Sequence, residues 1–486
     1  MRRLVLVAIF IAIALASIGP IRNYDLFWHL ATGRWIVEHR ALPLHDPFTT
    51  ASDRTPWING EWLFEVVSYG LERAAGITGL TWIRALFIAA LFAAIYVFAE
   101  RDLLLTALAW AGAMATLDLR PSSVAALFVA IAIALARSNK VLLYAVLIVV
   151  WINVHPSAIL APAIAFLLTK ESGRPGRLPV GGQDARIPSR RWPITVASAV
   201  ALLVNPYGIY GVLAPLKLTL FATGGEFVNA EWLPSSPLVF PLLYVTVIVA
   251  AVAFAYKHED VGKILLTILF AYLAIRHVRN QPLWFAAFPM LVSLPKIRPA
   301  IAYASSAVLA LFVAFTTDHH LGVSDRRFPL HAVARLKAAA FKGHIYNPDQ
   351  FGGFLIWSFY PERRALTDGR NELYRAFIPE YAAARGDQRA WLALLRKYRI
   401  DLAVDEYRAP LDVISGRERS KMPASLAYWP RRDWALVAYD RAAMVFSRRA
   451  AFSANEIAKW EIRGVVPDAG TAGSVGWPSL GHESRP

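Results

Sequence analysis

The chain has 486 residues and a formal net charge of +16, and 56% of it is hydrophobic, against about 45–50% in soluble domains. It has no cysteine, which excludes structural disulfides, cysteine zinc sites and thiol catalysis. Such positive charge on a soluble protein would point to nucleic acid. Here the apolar residues cluster into nearly uncharged stretches at 4–18, 122–136 and 237–256. The basic residues are therefore read as markers of cytoplasmic loops, and the expected partner is a lipid bilayer, with no nucleic acid.

The expected architecture is an α-helical polytopic membrane protein with a C-terminal soluble α/β domain. Met1-Arg2-Arg3, followed by an apolar run through Ala14-Leu15-Ala16, has features of a signal peptide. The run is long and the chain stays hydrophobic after it, so an uncleaved first span with a cytoplasmic N-terminus is expected. Residues 20–77 form a large outer loop with two amphipathic stretches. Further spans fit near 79–99, 103–117, 121–137, 139–154, 156–169, 192–206, 237–256, 261–277, 281–295 and 299–317. With the first, these make about eleven, judged by apolar length.

The alternation places Arg137, Lys140, Lys296, Arg298 and the basic loop 170–191 inside, in accord with the positive-inside rule. Residues 318–486 then lie outside. A reporter fused after Lys170 is expected to read cytoplasmic and one after Arg448 external. A cytoplasmic signal at Arg448 would contradict this topology.

In the tail, HIYN, RALTDGR, DLAVDE, WALVAYD and AAMVFSRR read as strands, from β-branched and aromatic content between turn residues. GGFLIWSF and the run 371–399 read as helices. Three regions are expected: a membrane domain at 1–317, an extracytoplasmic α/β domain at 318–463, and a disordered Gly-, Pro- and Ser-rich tail at 464–486. The stretch 330–450 has apolar positions of its own and should fold alone. Asp368-Gly369-Arg370 reads as a turn after a strand.

The sequence contains no Gly-rich phosphate loop, HExxH or GxSxG. The candidates are polar residues gathered at outer span ends. Asp25 follows the first span and shares a helical face with His29, four residues on; it is either a reactive carboxylate or that helix's N-cap. Later in the loop come Asp46, in His45-Asp46-Pro47, and Glu61, between Trp57 and Trp62; an acid between tryptophans could hold sugar hydroxyls or simply be a solvated helix start. Asp118-Leu119-Arg120-Pro121 fills a short outer turn, where Asp118 and Arg120 are either functional or neutralise one another. His155-Pro156 breaks an apolar run. Glu231 and Trp232 lie in the outer loop 207–236. Arg276, His277 and Arg279 end another span, where they suit a diphosphate or lipid headgroups.

An acid just after span one, then two surface helices before span two, resembles the GT-C superfamily of glycosyltransferases, including protein mannosyltransferases and aminoarabinose transferases. The segments DLFWHLATGRWI, WINGEWL, DLRP, NVHPS, NPYG, AEWLP, RHVRNQPLWF, FGGFLIW and LTDGRNELY also look like a widespread group of bacterial membrane proteins.

The GT-C resemblance implies a sugar transferase of the bacterial inner membrane. It would use a polyprenyl-phosphate-linked donor and an acceptor of unknown identity on the extracytoplasmic side. Asp25 would be its base or acceptor-orienting group, and Arg276 and Arg279 its phosphate-binding residues. His29, Asp46, Glu61, Arg120, His155, Glu231 and Trp232 would shape the substrate site. Asp118 is the candidate ligand for a divalent metal such as magnesium. Two features depart from the pattern: Asp25 lacks the adjacent second acid of the mannosyltransferases, and the tail is not theirs. The rival reading is a membrane scaffold whose outer domain binds a partner or a polysaccharide. A transporter fits less well, because the polar groups gather at one surface and not at the bilayer midplane.

Overall fold

The computed structural model describes residues 2–52, 55–169, 191–224, 229–257, 259–295, 298–415 and 418–469. Residues 170–190 of the basic loop, Lys296, and 470–486 of the tail lie outside them. The chain divides into two compact units. One comprises Met1–Asn23, Thr32–Leu44 and Ile58–Val323; the other comprises Tyr24–Ala31, His45–Trp57 and Ser324–Pro486.

The first unit is helical, and its residue sizes are distributed as lipid requires. The helix Pro241–Tyr256 buries Leu243, Thr246, Ala250 and Ala253, while Val245, Ile248, Val252 and Tyr256 are exposed. Pro299–Thr316 buries Ser306, Ala310 and Val313 and exposes Ile301, Val308, Leu311, Phe312 and Phe315. Small residues inside let helices approach closely, and large apolar residues outside are the kind that suit a hydrocarbon surrounding. In water so much exposed apolar surface would drive association.

Gln281–Leu291 is buried along its whole length and packs on Leu103–Ala113, Pro121–Arg137 and Val261–Arg276. Gly112 makes room for it, because a Cβ there would lie 2.3 Å from the Phe285 ring. Trp284 Nε1 donates to Thr246 Oγ1 at 2.9 Å, so the buried indole is satisfied.

Two helices, Trp62–Phe98 and Pro299–Thr316, are long and apolar enough to cross a membrane by length and composition. They contain two of the expected spans, and seven shorter apolar helices accompany them among the described residues. Two local expectations change. The second amphipathic stretch and the span 79–99 are one helix, Trp62–Phe98, interrupted at Gly76, whose φ of 66° is open to glycine. The loop 207–236 contains the apolar helix Ile209–Thr223.

The second unit is α/β. Its main sheet has the order β1-β2-β6-β5, from β1 (His344–Tyr346), β2 (Ile400–Glu406), β5 (Trp434–Tyr439) and β6 (Ala443–Arg448). β1 runs parallel to β2, and the other pairs are antiparallel. A separate hairpin joins β3 (Leu411–Ser415) to β4 (Glu418–Met422). Its second strand, Glu-Arg-Ser-Lys-Met, has no apolar alternation to announce it.

RALTDGR is not a sheet strand. Its backbone pairs with the first loop: Thr50 N–H donates to Ala365 O and Ala51 N–H to Leu366 O, both at 3.0 Å. Phe27 stacks edge-on against Phe328 and Phe354, each at 5.0 Å, and Phe48 packs on Tyr360 at 4.9 Å. The expectation that 330–450 folds alone shifts accordingly. A fragment of 324–469 should melt several degrees below the same fragment linked to 24–57, because each uncovered Phe face forfeits up to about 1.5–3 kcal/mol of burial. Equal midpoints in circular dichroism melts would contradict this.

Candidate functional site

In the helical unit, sequence-distant polar residues meet at helix ends. Arg120 precedes the helix Pro121–Arg137 and forms a fork on Glu231: Nη1 bonds Oε1, and Nη2 donates to Oε2 at 2.6 Å. Glu231 is held by a short turn, Ala230–Trp232, capped by Asn229. That turn is laced to the end of Val261–Arg276. His277 Nδ1 bonds Trp232 O at 2.7 Å, Ser235 N–H donates to Ile275 O at 2.8 Å, and Val278 N–H donates to Leu233 O at 3.2 Å. Arg279 lies over the Trp232 ring, 4.5 Å from its centroid. Arg276 is exposed in the last turn of its helix.

His155 caps the turn Pro156–Leu160, accepting from Ser157 N–H at 3.1 Å. Its Nε2 lies 4.0 Å from Glu61 Oε1. Asn153 ties this break to the start of Trp62–Phe98, its Oδ1 accepting from Trp62 Nε1 at 2.8 Å. The structure thus joins Arg120, Glu231, Trp232 and Arg279 in one cluster and Glu61 with His155 in another, and the charges of the first act on His155.

Their electrostatics follow from burial and from each other. Burial raises the Glu231 carboxyl, but Arg120, with help from Arg279, pulls it down to about 2. Burial and then the charges of Arg279 and Arg120 hold His155 well below its usual range, against the opposing pull of Glu231. The imidazole is therefore neutral at pH 7. The unfolded chain takes up a proton near its usual value of about 6.5 while the folded chain does not, so stability falls as pH drops below that value. The melting midpoint should decline from pH 7 to pH 5, and decline less in His155→Gln. Identical slopes would contradict the assignment.

Asp118 does not pair with Arg120. Its Oδ1 accepts from Arg84 Nη1 at 2.9 Å, and Arg84 also bonds Gly19 O and Pro20 O, which ties the end of the first helix to Trp62–Phe98. Among the described residues no three His, Asp or Glu side chains converge as a metal-binding group.

Asp25, His29 and Asp46 belong to the second unit. Asp25 stands at the start of the helix Leu26–His39, where its carbonyl accepts from His29 N–H at 3.2 Å. Its Oδ1 accepts from Trp28 Nε1, also at 3.2 Å. His29 is buried, its ring centroid 3.6 Å from that of Trp28. Asp46 accepts from Phe48 N–H and Thr49 N–H, both at 3.1 Å, and from Arg370 Nη2 at 2.9 Å. Arg370 also forks onto Asp368, and its guanidinium lies 4.5 Å from the Trp57 ring centroid.

Several of these residues escaped the sequence reading. Arg84 sits inside an apolar helix. Glu65, fully buried, accepts from Asn59 Nδ2 at 2.6 Å. A single charge inside an apolar run was the available signal for both. Asp368 and Arg370 looked like turn residues.

No family model matches the sequence, and no curated protein matches it. By structure the chain is similar to the archaeal oligosaccharyltransferase AglB from Archaeoglobus fulgidus, solved in complex with an inhibitory peptide and a dolichol-phosphate. The TM-score is 0.52 at 9% identity, covering 86% of this chain and 74% of that one. The apo form of the Archaeoglobus fulgidus oligosaccharyltransferase gives 0.48 at 9% identity, over 87% and 74%. Its complex with Zn and sulfate gives 0.49 at 10% identity, over 88% and 74%. At such identity the likeness is one of fold alone.

Proposed function

We propose that the protein is a membrane glycosyltransferase that moves a sugar from a polyprenyl-phosphate-linked donor to an acceptor hydroxyl on the extracytoplasmic face of the bacterial inner membrane. The carrying observation is the convergence of Arg120, Glu231, Trp232, Arg279 and His155 from separate helix ends. Glu231 fixes Arg120 and Trp232 supports Arg279, so two guanidinium groups are pre-oriented for an anion. Arg276 adds positive charge. The dolichol-phosphate bound by the archaeal oligosaccharyltransferase is consistent with a lipid phosphate as that anion.

In the reaction, the acceptor oxygen bonds the anomeric carbon while the carbon–oxygen bond to phosphate breaks, with inversion. Asp25 takes the hydroxyl proton, and the arginines stabilise the polyprenyl phosphate that leaves. Purified protein should carry a polyprenyl-phosphate species detectable by lipid mass spectrometry, and Arg120→Ala/Arg279→Ala should lose it. Equal lipid in both would favour a scaffold.

A further inference from the structure

The motifs FGGFLIW and LTDGR remain without a role in that reaction. Three of their glycines are close-approach points within the second unit. A Cβ at Gly352 would stand 2.0 Å from Thr367 O, and one at Gly353 would stand 2.9 Å from Tyr24 O. A Cβ at Gly369 would stand 2.7 Å from Asp25 Oδ1. The helix Asp349–Phe359 is thereby pressed against both the start of the Asp25 helix and the Asp-Gly-Arg turn. Arg370, 2% exposed, clamps that turn by bonding Asp368 and Asp46. The Asp25 carboxylate is thus bounded by the Trp28 indole, which donates to Oδ1, and by Gly369.

We infer that Gly369 is a positioning residue for Asp25, held in place by the Arg370 clamp. The inference rests on the role proposed for Asp25. The reason for glycine at 369 is contact and not backbone strain, since its φ lies outside the left-handed region. The atom a methyl would meet is the tip of a side chain, so Gly369→Ala rotates the carboxylate and leaves the fold in place. A displacement of the order of 1 Å at a reacting group costs on the order of 10²-fold in rate.

The test is steady-state transfer by the full-length protein in detergent, using polyprenyl-linked sugar as the donor. Gly369→Ala should lower kcat on the order of 10²-fold, with the donor KM unchanged. Asp25→Asn/Gly369→Ala should be no slower than Asp25→Asn alone, because both act through one carboxylate. Wild-type kcat in Gly369→Ala, a loss confined to KM, or additive losses in the double variant would overturn the inference.

Melting midpoints supply a readout that needs no activity. Gly369→Ala should cost less in an Asp25→Ala background than in the wild type, and equal costs would also overturn the inference. Full activity of Asp25→Asn would be a different failure. It would remove the role proposed for Asp25, while the melting cycle still decided whether Gly369 sets its position.

Discussion

Asp25→Asn is expected to abolish sugar transfer while leaving membrane insertion and the melting midpoint unchanged. The amide keeps the shape of the carboxylate. It can still accept from Trp28 Nε1, which reaches Asp25 Oδ1 at 3.2 Å, and Asn caps a helix about as well as Asp. It cannot take a proton, and losing a general base commonly costs about 10²–10⁴-fold in rate. The two readings of Asp25 separate on this one substitution, because a residue that only begins the helix Leu26–His39 would tolerate the change. The measurement is incorporation of labelled sugar from polyprenyl-linked donors into envelope material, with the purified variant's melting curve as the folding control.

Arg279→Lys is expected to weaken donor binding by about 10–100-fold with a smaller effect on turnover. Lysine keeps the charge but loses the planar fork and the stacking on Trp232, 4.5 Å from the guanidinium. A hydrogen bond to a charged group contributes about 1.5–3 kcal/mol, which sets that range. Arg276→Ala should have a weaker effect, because Arg276 is exposed at its helix end. Titration of a polyprenyl phosphate against each variant checks the order. Wild-type affinity in Arg279→Lys would leave headgroup orientation as that arginine's role.

The helical class and the α/β tail were legible because apolar run length and strand patterns are local signals. HIYN, WALVAYD and AAMVFSRR contain three strands of the main sheet, and DLAVDE covers the fourth except for its first residue, Ile400. RALTDGR was misread because its hydrogen-bond partners, residues 48–51, lie more than three hundred positions away and outside the sheet. Tertiary pairing of that kind leaves no periodicity in either segment.

In the candidate site, the polar residues at the ends of apolar runs could be picked out individually, since a charge beside hydrocarbon is costly. Their pairing could not. Sequence adjacency suggested Asp118 with Arg120, whereas the fold joins Asp118 to Arg84 and Arg120 to Glu231. Asp46 reads in sequence only as an acid of the first loop, in His45-Asp46-Pro47, but it is buried and its carboxylate oxygens accept from two backbone amides and Arg370.

The most direct test of glycosyl transfer from a lipid-linked donor follows both products in one reaction. Purified protein in detergent is incubated with a polyprenyl-phosphate-linked sugar and candidate hydroxyl acceptors, and free polyprenyl phosphate and glycosylated acceptor are quantified together. The account predicts that the two appear in equal amounts with wild-type protein and that both form about 10²–10⁴-fold more slowly with Asp25→Asn. Folded wild-type protein that binds the donor yet releases no polyprenyl phosphate with any acceptor would contradict it.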